Sequence, residues 1–555
     1  MLHHFHPLAI FPRAVPVAWL ATLACGGSSD ATAELNGPLL HSEGPPGIQR
    51  NVVQSGDDEA DGIVAKGLEA PRVAIEDGVL LGVVAGTVER FLGIPYAKPP
   101  VDTATEKLRF EPPAQAARVT GERLAVERGN FCKQLDLAGR PVGDEDCLFL
   151  NVYRPENTDV SSRLPVMVWI HGGSFESGTG SDYDPRRLVE QNGVIVVTVN
   201  YRLGALGFLA LQGAQPITAN HGLMDQQEAL RWVQRNIQSF GGDPGQVTIA
   251  GQSAGGVSVC AHLASPPALG LFSRGVIQSG ACASVPLAAA QGGGSLLVNA
   301  LPACAGQADL AQCARGLDAA TLVSLDPFAS WGPVVDGNVL TEAPSGGRAS
   351  VPVLVGSVSD EMRGFLFALQ PIPSEERYRA VLAERLPGLD ADAILARYPV
   401  TGGDSFLSLT AAVSDSGRGG LGSCLTADLA DALSASTTTY AYELDDPEFD
   451  SALTFNPVKG ATHSSDLPYL FDVTFLGFPI TSAPFSAAQS ALAEQMVSAW
   501  GAFIQAGAPS AVAGIEWQPY TAAQPQTLYL EPSAVRSVTD IRTQHECAFW
   551  KNPTP

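Results

Sequence analysis

The chain is poor in positive charge. Across 555 residues, 33 Lys and Arg stand against 57 Asp and Glu, a formal net charge of −24. Such a surface repels phosphate backbones and anionic headgroups, which argues against nucleic acid or an acidic membrane face as a partner. The apolar run near the start, "AVPVAWLATLA" (14–24), is too short to cross a bilayer. There are nine cysteines, but none in zinc-finger spacing, and no internal repeat of the kind that builds a solenoid. Histidine is scarce, nine in all, with His3, His4, His6 and His41 ahead of any foldable segment. A general base must therefore come from His171, His221, His262, His463 or His545.

Arg13 followed by the short apolar run reads as an export signal over residues 1–25. Two processing routes fit: lipidation of Cys25 after Leu23 and Ala24, giving a lipid anchor, or cleavage after "ATA" (31–33). Residues 26–70, rich in Gly, Pro, Ser and Asp, read as a flexible tether. Residues 71–555 read as a single folded domain of an exported protein: secreted, periplasmic or held at a membrane by its lipid. Eight cysteines lie beyond Cys25, and Cys132 with Cys147, and Cys304 with Cys313, are close enough to close short loops in an oxidising compartment.

The apolar patterning beyond Pro71 is continuous rather than alternating. "LPVMVWI" (164–170), "GVIVVTV" (193–199), "VTIA" (247–250), "GVIQ" (275–278), "VPVLV" (351–355) and "TTTYAYEL" (437–444) read as strands buried on both faces. Helical periods fall between them. Leu230, Val233 and Ile237 share one face, ahead of Gly241 and Gly242; Leu492, Met496, Trp500 and Phe503 share another, closed by Gly507. The alternation predicts an α/β fold: a mostly parallel, doubly wound central sheet covered by helices, with helical and loop insertions. "QGGGS" (291–295) reads as a loop.

"VTIAGQSAGG" (247–256) runs a strand into a glycine-flanked serine and then a helix. A sharp strand-to-helix turn tolerates only small neighbours, and Gly251, Ala254, Gly255 and Gly256 are small. Such a turn lifts the Ser253 hydroxyl clear of the sheet, with a helix N-terminus pointing at it. A serine needs a base, and the base an orienting acid. His262 lies on the following helix and points away, His545 sits in the tail beside Cys547, and His221 reads as part of a helix cap. His463, in the small-residue loop "GATHSSDLPYLF", is placed where a mobile base belongs. "HGGSFESG" from His171 follows a strand, so the amides of Gly173 and Ser174 can join that of Ala254 as an oxyanion hole. Losing one such donor costs about 2.7–4 kcal/mol of transition-state stabilisation. The acid should also follow a strand, and "VPVLVGSVSDEMRGF" offers Asp360 or Glu361.

The chain resembles the type-B carboxylesterases, the cholinesterase-like branch of the α/β-hydrolases. "FLGIPYAKPP", "LRFEPP", "EDCLFLNVYRP", "HGGSF", "VNYRLGALGFL", "HGLMDQQEALRWVQRNIQSFGGDPGQVTIAGQSAG", "GATHSSDLPYLF", "WQPY" and "CAFW" stand in that family's order, from about Val73 to Trp550. The resemblance implies Ser253 as nucleophile, Glu361 as acid and His463 as base, with the Gly173, Ser174 and Ala254 amides as oxyanion hole. It also implies disulfides Cys132–Cys147, Cys304–Cys313 and Cys424–Cys547, leaving Cys260 and Cys282 as free thiols or an extra bridge. No metal or cofactor is implied.

Three positions and one segment depart from the family pattern. Ser174 replaces a glycine, Met362 replaces the glycine after the acid, and Gln252 replaces the glutamate before the nucleophile. The segment "KQLDLAGRPVGDED" (133–146) lacks the tryptophan on which cholinesterases bind cations. The expected function is thus a serine carboxylic-ester hydrolase acting through an acyl-enzyme on small neutral esters of short to medium chain. The alternatives are a lipase for longer acyl chains and a non-catalytic binding or adhesion member of the same fold.

Overall fold

The computed structural model describes residues 70–103, 105–118, 121–400, 405–452 and 459–551. The expected export signal with Cys25 lies outside the described residues, as does the tether up to residue 69.

One 11-stranded sheet organises the chain. In chain order its strands are β1 (Val83–Ala85), β2 (Val88–Pro95), β3 (Phe149–Pro155), β4 (Leu164–Ile170), β5 (Ile195–Val199), β6 (Gly242–Gln252), β7 (Arg274–Gln278), β8 (Val353–Val358), β9 (Thr439–Leu444), β10 (Thr527–Leu530) and β11 (Arg536–Val538). Across the sheet they run β11-β10-β9-β8-β7-β6-β4-β5-β3-β2-β1. From β5 through β10 the neighbours are parallel; β3, β2, β1 and β11 are added antiparallel at the two edges.

The continuous apolar runs are explained by two separate cores. Val166, Val168 and Ile170 of β4 face one, with Leu230, Val233 and Ile237 from the helix side. Met167 and Trp169 of the same strand face the other, with Leu492, Met496, Trp500 and Phe503. Successive side chains of a strand point to opposite faces, so a strand covered on both faces must be apolar at every position. Helix α2 (His221–Asn236) and helix α5 (Ala487–Ala506) supply those covers; α5 starts in a capping box on Ser486 and ends at left-handed Gly507.

Three readings of the sequence are corrected. "QGGGS" is not a loop: residues 291–295 lie inside helix α4 (Leu287–Ala300). Gly294 permits this, because a Cβ there would sit 2.4 Å from the Ala210 carbonyl oxygen, while apolar Leu297 and Val298 anchor the same helix in a core. The strand expected from Gly193 begins at Ile195, since Gly193 is left-handed and closes the preceding helix. His221 does not cap its helix; Asn220 holds that position, and His221 is the first helical residue, fully buried.

Candidate active site

The parallel strands place the chemistry at their carboxyl ends, where open α/β sheets build their sites. β6 ends at Gln252, and Ser253 follows with φ 58° and ψ −125° as the N-cap of helix α3 (Ala254–Ala264). That backbone is unfavourable for a side chain and persists only where its surroundings dictate it. The surroundings are crowded: a Cβ on Gly255 would lie 2.0 Å from the Ile170 oxygen, and one on Gly251 would lie 2.4 Å from the Gly255 carbonyl carbon. The Ser253 N–H donates to the Gln278 carbonyl at 2.9 Å, tying the turn to β7.

β8 ends at Val358 and delivers two carboxylates that point different ways. Asp360 pairs with Arg363. Glu361, fully buried, places Oε2 2.6 Å from His463 Nδ1, and its Oε1 accepts from the Val358 N–H at 3.2 Å. His463 arrives in the loop after β9. Its Nδ1 is engaged by the carboxylate, which leaves Nε2 to act; Nε2 lies 3.2 Å from the amide Nε2 of Gln252, the residue next to Ser253. The Ser253 turn, His463 and Glu361 are thereby brought together, Gln252 and Glu361 contacting opposite nitrogens of the His463 ring.

The loop after β4 carries the third element. Gly173 has φ 107°, Ser174 58° and Phe175 61°. These left-handed values turn the loop back on itself, with the Glu176 and Ser177 N–H groups donating to the Gly173 oxygen at 2.9 and 3.0 Å. Among the described residues, the N–H groups of Gly173, Ser174 and Ala254 have no acceptor. The first N–H groups of a helix lack intrahelical partners, so Ala254 is a donor by construction. His171, at the head of the loop, is no base: burial lowers its pKa to about 4, it stacks on Tyr201 at 4.4 Å, and its Nδ1 bonds the Gly172 oxygen at 2.8 Å.

The other histidines are occupied elsewhere. His262 Nε2 bonds Gln226 Oε1 at 2.7 Å; His545 sits between Asp415 at 2.6 Å and Glu443 at 3.0 Å. Disulfides join Cys132 to Cys147, Cys304 to Cys313 and Cys424 to Cys547, and Cys260 and Cys282 form a fourth. The Cys132–Cys147 loop is held to the end of the oxyanion loop, because Gln134 bonds both the N–H and the carbonyl of Gly178, at 2.8 and 3.0 Å.

Several residues at the site were not singled out from the sequence. The Phe365 ring lies 5.2 Å from the His463 ring. Beneath them Asp466, fully buried, accepts from Gln278 Nε2 at 2.7 Å and from the Tyr442 hydroxyl at 2.9 Å. Trp500 Nε1 donates to the other end of the Gln278 amide at 3.2 Å. Burial raises the Asp466 pKa, against these two donors. Gln278 thus holds the Ser253 turn by its backbone and the His463 loop, through Asp466, by its side chain. The only signal was a polar residue ending an otherwise apolar strand. Among the described residues no cluster of three or more His, Cys, Asp or Glu could hold a metal.

The family model of the carboxylesterase family matches residues 69–550. The chain belongs to the carboxylesterase family. This carboxylesterase is 32% identical over 489 residues to the para-nitrobenzyl esterase of Bacillus subtilis, covering 83% of this chain and 94% of that one. It is 32% identical over 506 residues to the acylcarnitine hydrolase of Mus musculus, covering 84% and 87%. To the cocaine esterase of Oryctolagus cuniculus it is 32% identical over 503 residues, covering 84% and 92%. It is a carboxylic-ester hydrolase with the α/β-hydrolase fold.

Proposed function

We propose that this carboxylesterase is exported and cleaves neutral carboxylic esters of short to medium chain through an acyl-enzyme on Ser253. The observation that carries the reading is the 2.6 Å contact of His463 Nδ1 with Glu361, which leaves the opposite ring nitrogen beside the Ser253 turn. Ser253 Oγ attacks the ester carbonyl carbon and its proton passes to His463 Nε2. Glu361 orients the ring and balances the imidazolium. The oxyanion is held by the N–H groups of Gly173, Ser174 and Ala254. When the tetrahedral species collapses, the alcohol leaves with the proton from Nε2. Water then repeats the sequence on the acyl-enzyme and frees the acid.

The preference for neutral esters rests on what flanks the site. Gln252 is uncharged where a carboxylate would attract cations, and residues 133–146 hold no tryptophan. The three relatives are named for three different esters, so their likeness supports the chemistry rather than one substrate. Export is supported by four disulfides, which persist in oxidising compartments. Residues 71–555 would then be the folded unit released beyond the tether, with or without lipid on Cys25.

A series of p-nitrophenyl esters from acetate to palmitate tests the substrate reading. The highest kcat/KM is expected at butyrate to octanoate, whereas a maximum at palmitate would make the enzyme a lipase. Mass spectrometry of the mature N-terminus tests export and the fate of Cys25.

A further inference from the structure

The oxyanion loop is held from a distance. Phe175, with φ 61°, accepts a 2.6 Å hydrogen bond at its carbonyl from the N–H of Gly204, the first residue of the short helix α1 (Gly204–Phe208). The last residue of that helix, Phe208, packs edge-on against the Phe175 ring at 4.9 Å. α1 therefore grips the residue next to Ser174 at both of its ends.

The start of α1 is in turn fixed by Asp326, which is 2% exposed and 121 residues further along the chain. Its Oδ1 accepts from the Ala205 N–H at 3.0 Å. Its carboxyl lies against Gly204 so closely that a Cβ there would sit 2.2 Å from Oδ2, and Gly204 has φ +51°. The other oxygen, Oδ2, is buried with no hydrogen-bond partner among the described residues. A buried carboxyl left half-satisfied is costly, and such groups call for an explanation. Burial pushes its pKa up to about 8, against the Ala205 N–H and the neighbouring Trp331 indole. Asparagine keeps the shape of the side chain and an acceptor oxygen for the Ala205 N–H, and is its nearest stand-in.

We propose that Asp326 is a positioning residue for the oxyanion hole: by seating the first turn of α1 it fixes the Gly204 N–H on the Phe175 carbonyl, and so the aim of the Gly173 and Ser174 N–H groups. The inference rests on reading those two groups as oxyanion donors. An ångström of misplacement at a reacting centre can cost on the order of a hundredfold in rate, so a residue remote from the substrate can govern turnover.

The test compares Asp326→Ala and Asp326→Asn with the wild-type enzyme on p-nitrophenyl butyrate and on an alkyl trifluoromethyl ketone. Ser253 Oγ adds to the ketone's carbonyl carbon, its proton passes to His463 Nε2, no group leaves, and the carbonyl oxygen becomes an oxyanion in the hole. Asp326→Ala is expected to lower kcat by about tenfold or more with KM nearly constant, and to weaken the ketone in proportion. Asp326→Asn, which keeps an acceptor for the Ala205 N–H, is expected to stay within about twofold of wild type on both. Should Asp326→Ala not fold, Asp326→Ser, whose hydroxyl is too short to reach that N–H, carries the same comparison.

Wild-type kcat in the folded Ala or Ser variant would overturn the proposal, as would a lower kcat with ketone affinity unchanged. Failure of the site reading itself looks different, because the wild-type enzyme would then be insensitive to the ketone.

Discussion

The side-chain amide of Gln252 lies 3.2 Å from His463 Nε2, the nitrogen proposed to take the Ser253 proton. A neutral donor on that lone pair holds the ring with its hydrogen on Nδ1, toward Glu361. When Nε2 becomes protonated the amide must turn its oxygen to it. Glu361 is in direct contact with the ring, and Asp466, whose pKa burial raises, lies near it. A carboxylate in place of Gln252 would attract the imidazolium, and an opposite charge within about 4–6 Å favours the charged form.

Gln252→Glu is therefore expected to move the acid limb of the kcat/KM profile to higher pH, by about one unit. Gln252→Met, which removes the donor without adding charge, should leave that limb near its wild-type position. Overlaid profiles for wild type and Gln252→Glu would deny Gln252 any electrostatic part.

The same substitution bears on selectivity. The ratio of kcat/KM for a cationic to an isosteric neutral ester should rise in Gln252→Glu. An unchanged ratio would mean that the residue does not influence the choice of substrate.

Ser174 has a left-handed φ of 58°, which glycine adopts freely. Ser174→Gly relieves that strain and removes a side chain next to the proposed hole, while keeping the N–H. Turnover of esters with branched acyl groups is expected to rise relative to butyrate, with thermal stability unchanged or slightly improved. Slower turnover of every ester would show that the hydroxyl itself contributes.

The Cys260–Cys282 disulfide pins the nucleophile-bearing helix α3 to the segment after β7 and closes 22 residues. Replacing both cysteines by alanine should cost about 3 kcal/mol in denaturant unfolding through the longer unfolded loop. The Glu361–His463 contact comes from other segments and the Ser253 turn keeps its bond to the Gln278 carbonyl, so kcat at room temperature should stay within about twofold. A large loss of kcat without loss of stability would place the bridge in the catalytic machinery instead.

His545, wedged between Glu443 and Asp415, ties the C-terminal segment to the body of the protein. Burial favours the neutral ring, but the two carboxylates outweigh it and hold its pKa well above the ordinary value. A group that binds its proton more tightly when folded contributes stability fully below its unfolded pKa, about 6.5, and loses it as pH rises through the folded value. The Asp415 pKa is also raised, which acts in the same direction. The thermal-stability advantage of wild type over a His545→Gln/Asp415→Asn/Glu443→Gln variant should thus be largest on the acid side of neutrality and shrink into the alkaline range. An advantage that grew with pH would contradict this.

What the chain revealed in advance follows from the range of the physics involved. The Ser253 turn was legible because its constraint is local: Gly251, Gly255 and Gly256 leave no room for a Cβ where backbone from Ile170 and Gln278 comes so close. Strands buried on both faces were legible because two cores impose a continuous apolar run. Spacing alone could not separate Asp360 from Glu361. They are adjacent, and their directions depend on Arg363 taking one and His463, 102 residues away, taking the other. The glycines of 291–295 misled because the reason for a helix there, the close approach of Ala210, is tertiary. Asp326 and Asp466 were invisible for the same cause, since each is held by partners far along the chain, and Gln278 was marked only by its polarity at the end of an apolar strand.

The central claim is that Ser253, activated by His463 and Glu361, forms the acyl-enzyme. The most direct measurement is hydrolysis of p-nitrophenyl butyrate by wild type and Ser253→Ala, with a fluorophosphonate probe and peptide mapping on both. The account predicts labelling of wild type at Ser253 alone. It also predicts no label on the alanine variant and a loss of kcat on the order of a million-fold. Wild-type hydrolysis by Ser253→Ala, or a folded wild-type enzyme that takes no label at Ser253, would contradict it.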